Sequence, residues 1–89
     1  MSSELTEEQL RTLMMDPTNR KIAVFCITPH TSQEIVKKIA GLYEEESFQS
    51  VVGQALKILE SSKALTFSQG KWNTSEKTVV VLNKYFGTH

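Results

Sequence analysis

Ala64-Leu-Thr-Phe-Ser-Gln-Gly-Lys-Trp-Asn-Thr74 is where the period of the chain changes. Ala64 to Ser68 alternates apolar and polar side chains as a half-buried strand does. Gln69-Gly70 is a turn signal, and Lys71-Trp-Asn-Thr74 returns as the antiparallel partner. Beyond it, Thr74 or Ser75 can cap a last helix running from Glu76 to Phe86 and ended by Gly87. Val79-Val-Val81 is β-branched, so a strand extending from 71 to 82 competes with that helix.

Upstream of the hairpin the period is helical. From about Ser47 or Phe48 to Ser61, the residues Val52, Ala55, Leu56 and Leu59 form an inward stripe, while Gln49, Ser50, Gly53, Gln54 and Lys57 point away. Leu42 to Glu46 connects this helix to a shorter one over about 32–40. The shorter helix opens on the capping box Thr31-Ser-Gln-Glu34, carries Ile35, Val36, Ile39 and Ala40, and stops at Gly41. Asp16-Pro17 opens another helix, because Asp accepts from free amides and Pro at the first position loses no hydrogen bond. The run Ile22 to Ile27 lies in it and would also suit a buried strand. Thr28-Pro29 ends the element, since the residue before proline is pushed out of the α region. Leu5-Thr-Glu-Glu-Gln-Leu10 is a capping box with leucines at the staple positions, which starts the first helix at Glu7 and carries it through Leu10, Leu13 and Met14 to near Asp16.

Length and composition narrow the field. Eighty-nine residues make a single domain over 1–89, with an ordered core expected from about 5 to 87. One cysteine excludes an intrachain disulfide framework and a Cys-based zinc site. The longest apolar run, 22–27, is far below the ~20 residues of a membrane span, and Met1-Ser-Ser-Glu-Leu5 lacks a basic signal-like start, so the expectation is a cytoplasmic protein with no membrane association. Ten basic and ten acidic residues cancel, yet the segments 1–16, 17–43, 44–60 and 61–89 carry −3, +3, −3 and +3. The presumed hairpin and last helix therefore form a basic block.

Helices followed by a hairpin and a closing helix give an α+β, mostly α, chain of about five helices and a two-stranded β-hairpin, the element order of a winged helix-turn-helix. Individual stretches resemble one family with that fold. Asp16-Pro-Thr-Asn-Arg-Lys-Ile22 is similar to the approach to the second helix in arsenic-repressor-like (ArsR-like) transcription regulators. Thr31-Ser-Gln-Glu-Ile-Val-Lys-Lys-Ile39 resembles their first helix-turn-helix element. Val52-Gly-Gln-Ala-Leu-Lys-Ile-Leu-Glu60 resembles their recognition helix, and Gly70-Lys-Trp-Asn-Thr-Ser-Glu-Lys77 resembles the wing return into a terminal helix.

The resemblance implies a homodimer that binds duplex DNA, with the fourth helix in the major groove and the wing on the backbone. It places Gln49, Ser50, Gly53, Gln54 and Lys57 at the bases. Gln pairs with adenine and Lys reaches guanine, while no arginine offers the commonest base contact. Phosphate neutralisation falls to Lys37, Lys38, Lys57, Lys63, Lys71 and Lys77. Arg20 and Lys21 are expected as solvated caps on their helix. Glu44, Glu45 and Glu46 precede the recognition helix and repel phosphate there, so DNA binding should lean on the wing.

The resemblance further implies a dimer interface from the first and last helices, here Leu10, Leu13, Val79, Leu82, Tyr85 and Phe86. On a helical wheel Val79, Val81, Leu82, Tyr85 and Phe86 span roughly 160°, wider than the ~100° stripe of a surface helix, which calls for a partner unless the domain uses that arc internally. A second functional reading is a winged-helix module for protein–protein assembly without DNA contacts, motivated by the zero net charge and the three glutamates.

Catalytic signatures are lacking: the sequence has no glycine-rich phosphate loop, nucleophile elbow or His-Glu-x-x-His. No enzyme activity, cofactor or metal is expected. Cys26 reads as a buried small hydrophobe, with a redox thiol as the alternative. His30 reads as local to a helix cap and His89 as a terminal residue. Trp72 either packs the wing onto the helices or works at a surface.

Overall fold

The structure is a computed structural model that describes residues 5–39 and 45–87, with side chains for 5–39 and 50–87. The elements run α1 (Glu7–Met14), α2 (Pro17–Phe25), α3 (Ser32–Ile39), α4 (Glu45–Ser61), β1 (Leu65–Ser68), β2 (Lys71–Thr74) and α5 (Glu76–Phe86). The described residues form a small α+β fold of five helices and a two-stranded antiparallel hairpin.

Helix starts follow local chemistry. Thr6 and Gln9 close a reciprocal capping box, with the Thr6 amide 2.8 Å from Gln9 Oε1 and the Gln9 amide 3.1 Å from Thr6 Oγ1. Asp16 Oδ1 accepts from the Thr18 amide at 2.8 Å, with Pro17 at the first helical position. Thr31 and Glu34 repeat the box at the start of α3. Ser75, rather than Thr74, caps α5, and Gly87 ends it with a left-handed φ of 64°. The segment 76–82 is helix, which removes the extended-strand alternative: the Ser75 cap and the packing of Val81 and Leu82 into the core outweigh the β-branched run.

Two boundaries differ from the sequence reading. Helix α2 ends at Phe25, so Cys26 and Ile27 lie beyond it. The carbonyls just after it are taken up from across the chain: Asn73 Nδ2 donates to the Cys26 and Ile27 carbonyls at 3.0 and 3.1 Å, and the Thr74 amide donates to Cys26 at 2.8 Å. Helix α4 begins at Glu45, two or three residues earlier than expected, so Glu45 and Glu46 lie in its first turn. Residues 40–44, which include Glu44 and the expected end of α3, lie outside the described residues, as does His89.

One core joins the elements. Leu10 and Met14 of α1, Ile22 and Ala23 of α2, Ile35 and Ile39 of α3, the α4 stripe Val52, Ala55, Leu56 and Leu59, and Val81 and Leu82 of α5 are all buried. β1 pairs β2 from Leu65↔Thr74 to Ser68↔Lys71. The residue ahead of α3 adds a third rung, because His30 and Trp72 exchange backbone hydrogen bonds at 2.7 and 3.0 Å. The order across this ladder is therefore residue 30, β2, β1. No helix among the described residues is long and apolar enough to cross a membrane.

Candidate nucleic-acid interface

The residues expected to read bases lie on α4. Because its inward stripe is fixed by Val52, Ala55, Leu56 and Leu59, the 3.6-residue period turns Ser50, Gly53, Gln54 and Lys57 outward, and all four are exposed. They line one groove with Glu60 and with Trp72 of the hairpin. The side chain of Gln49 lies outside the described residues. Glu60 places a carboxylate on a face expected to be neutral or basic, a contribution that sequence reading assigned to the helix core motif alone.

The hairpin is held beside α4 by groups distant in sequence. Trp72 is 9% exposed, and its Nε1 donates to Ser32 Oγ at 2.8 Å, which ties β2 to the first turn of α3. Phe67 tilts against it with ring centroids 4.7 Å apart. Thr74 is buried and its hydroxyl donates to the Ala23 carbonyl. Trp72 thus packs the hairpin onto the helices while its edge still borders the groove. Gln69 and Gly70 take positive φ at the hairpin tip, as a tight turn demands.

The lysines expected at phosphates are distributed over several elements. Lys57 lines the α4 groove and Lys71 is exposed on the hairpin. Lys37 and Lys38 sit in the last turn of α3 and border a separate recess with Phe25, His30 and Glu34. Lys63 and Lys77 border another cleft with Leu5 and Ser75, where Lys77 Nζ donates to the Leu5 carbonyl at 2.6 Å. Lys77 is therefore engaged with the segment before α1. Arg20 is half-buried: it donates to the Met14 carbonyl at 3.1 Å, and Asn19 donates to Leu13 at 3.1 Å, so α2 closes the open end of α1.

The six residues expected at a dimer interface divide as well. Leu10 and Leu82 are buried in the protomer's own core. Tyr85 donates its hydroxyl to Glu7 Oε2 at 2.6 Å and lies under Arg11, and Lys84 pairs with the same carboxylate at 2.9 Å. Leu13 and Phe86 are partly buried against the core, and Val79 is half-buried. Much of the broad apolar arc of α5 is therefore covered by α1 of the same chain. The apolar side chain that α5 exposes most is Val80, at 55%.

Cys26 is fully buried, and desolvation pushes its thiol up to about 12, which removes the thiolate that redox chemistry needs. His30 Nδ1 donates to the Thr28 carbonyl at 2.7 Å, and its ring stacks on Phe25 at 3.8 Å. Among the described residues no cluster of three or more His, Cys, Asp or Glu side chains is placed to hold a metal. Compared with protein-family models, curated proteins and solved structures, the chain gives no match.

Proposed function

We propose that this chain is a winged helix-turn-helix transcription regulator of ArsR-like type, which binds duplex DNA as a homodimer with α4 in the major groove and the hairpin as its wing. The observation that carries the reading is the stripe of Ser50, Gly53, Gln54 and Lys57, outward on α4, free of the core and bordered by the hairpin. The order residue 30, β2, β1, with α3 and α4 packed ahead of it, supports the winged-helix assignment. Ser50, Gln54 and Lys57 supply donors and acceptors for base edges, and Lys71 supplies a cation for the backbone.

The test is a salt titration of binding to random duplex DNA. At about 50 mM salt the chain binds, and log K falls linearly with log salt. Lys57→Glu and Lys71→Glu remove most of that affinity, whereas Lys77→Glu changes it little because Lys77 already serves the Leu5 carbonyl. No detectable binding at low salt overturns the reading. It would favour the assembly module, for which half-exposed Ile58 on α4 and Phe67 on β1 offer apolar contact.

The dimer is tested by solution mass at micromolar concentration, with Val80→Glu as the probe. A chain that is monomeric at all concentrations, with or without DNA, removes the paired half-site geometry.

A further inference from the structure

We propose that the cleft between α2, α3 and the end of α5 is a binding site for a small organic anion with a flat apolar body, an aromatic carboxylate. The cleft is open to solvent on one side and holds about 680 Å3, within the roughly 300–1,000 Å3 of small-ligand sites. Its charged walls are Arg20, Lys21 and Lys38, and its apolar walls are Val24, Phe25 and Phe86. Among the described residues no carboxylate lines it.

Two of the three cations lie over aromatic rings. Arg20 lies 5.0 Å over the Phe86 ring, and Lys38 Nζ lies 5.7 Å over the Phe25 ring. A ring face orients a cation through its quadrupole while leaving N–H donors open. Arg20 commits one donor to the Met14 carbonyl, which fixes the guanidinium and leaves others for a ligand. Glu34 lines the adjoining recess, and its carboxylate accepts from the Thr31 amide at 2.8 Å.

Three cations lining one cleft, with no carboxylate among the described residues beside them, favour an anion, and the phenyl and valine walls favour an apolar body behind it. Inorganic phosphate would satisfy only the first, and a neutral hydrocarbon only the second. His30 connects the cleft to the hairpin, since its ring stacks on Phe25 and its backbone pairs with Trp72. The site stands independently of DNA binding, because a chain that binds no duplex can still take the anion.

The experiment is an amide-resolved NMR titration of the full chain with 2-naphthoate, with 2-naphthylmethanol and inorganic phosphate titrated separately. The expected result is saturable shifts confined to the amides of Val24, Phe25, Thr28, Lys38 and their neighbours. The alcohol and phosphate should each bind at least roughly tenfold more weakly. Lys21→Gln with Lys38→Gln should weaken 2-naphthoate by about tenfold. Both lysines are exposed, so the folded amide spectrum should otherwise persist. Equal binding of phosphate overturns the proposal in favour of a bare cationic patch, equal binding of the alcohol overturns the charge recognition, and shifts that do not saturate or that survive both substitutions overturn the site.

Discussion

Trp72 and Ser32, forty positions apart, are joined by an indole N–H to hydroxyl hydrogen bond of 2.8 Å that fastens the hairpin to the first turn of α3. Ser32 is exposed, yet its oxygen serves a nearly buried donor, so truncation leaves that donor without its partner. Ser32→Ala should lower stability in urea by about 1–2 kcal/mol, the usual cost of orphaning a buried polar group. The α3 cap should survive, because Thr31 and Glu34 form it separately. A change below a few tenths of a kcal/mol would mean that the ring packing alone holds the hairpin.

Glu7 links α1 to α5, and its carboxyl is held below the usual carboxylate range first by the Tyr85 hydroxyl and then by Lys84. A carboxylate depressed in the folded state contributes stability that is present above its unfolded pKa and lost as pH falls through its folded pKa. Stability should therefore drop on acidification through and below the ordinary range near 4.5. Glu7→Gln should flatten part of that drop, and Tyr85→Phe should flatten it too by releasing the larger of the two partners. The remainder belongs partly to Glu34, lowered by the Thr31 amide. Denaturant curves from neutral to acid pH read this out, and identical slopes in Glu7→Gln and the parent would remove the α1–α5 link as a source of acid sensitivity.

Buried Cys26, with its thiol pushed up to about 12, should be inert to a disulfide reagent in the folded protein near neutral pH. Labelling should follow opening of the chain and accelerate with urea. Rapid stoichiometric labelling without denaturant would contradict the burial. Cys26→Ser should cost about 1–3 kcal/mol, since a hydroxyl is placed where a weakly polar thiol packs.

Lys63 occupies the left-handed position, φ 65°, after α4, where the Ala64 amide bonds to Leu59 and the Lys63 amide to Glu60. This is the Schellman arrangement, in which glycine is the unstrained residue. Lys63→Gly should raise stability by about 0.5–1 kcal/mol, the relief of a side chain at positive φ less the added freedom of the unfolded chain. If Lys63 also meets phosphate, the same variant loses duplex affinity, which a salt titration separates from the stability gain.

Legibility in the sequence follows the range of the interactions. Caps at Thr6, Asp16, Thr31 and Ser75 and the α4 stripe are set within a turn or two, and they stand in the structure where local chemistry places them. The end of α2 at Phe25 is not readable locally, because the partners of the Cys26 carbonyl just beyond it, Asn73 and Thr74, are more than forty positions away. The early start of α4 at Glu45 has no comparable cap signal. A helical wheel gives the width of the apolar arc on α5 but not its occupant, since only tertiary packing reveals that α1 lies against α5. Equal lysine charges likewise looked equivalent until geometry committed Lys77 to Leu5 and Lys38 to the Phe25 face.

Gly53 tests the interface and the fold in one substitution. It sits inside the 17-residue helix α4, on the outward face, and a Cβ built there meets nothing within 4 Å. Glycine within a helix costs about 0.8–1 kcal/mol relative to alanine, and no internal close approach in the chain requires it. Gly53→Ala should therefore stabilise the protein by about 0.5–1 kcal/mol in urea. A groove that admits DNA gives the missing side chain another use, because a bare Cα lets a base edge or sugar come closer than a methyl group allows. The same variant should then bind duplex DNA about three- to tenfold more weakly, a loss of roughly 0.7–1.4 kcal/mol. Greater stability with unchanged duplex affinity would detach Gly53 from the interface and leave Ser50, Gln54 and Lys57 to carry it, and lower stability would contradict the open space over α4.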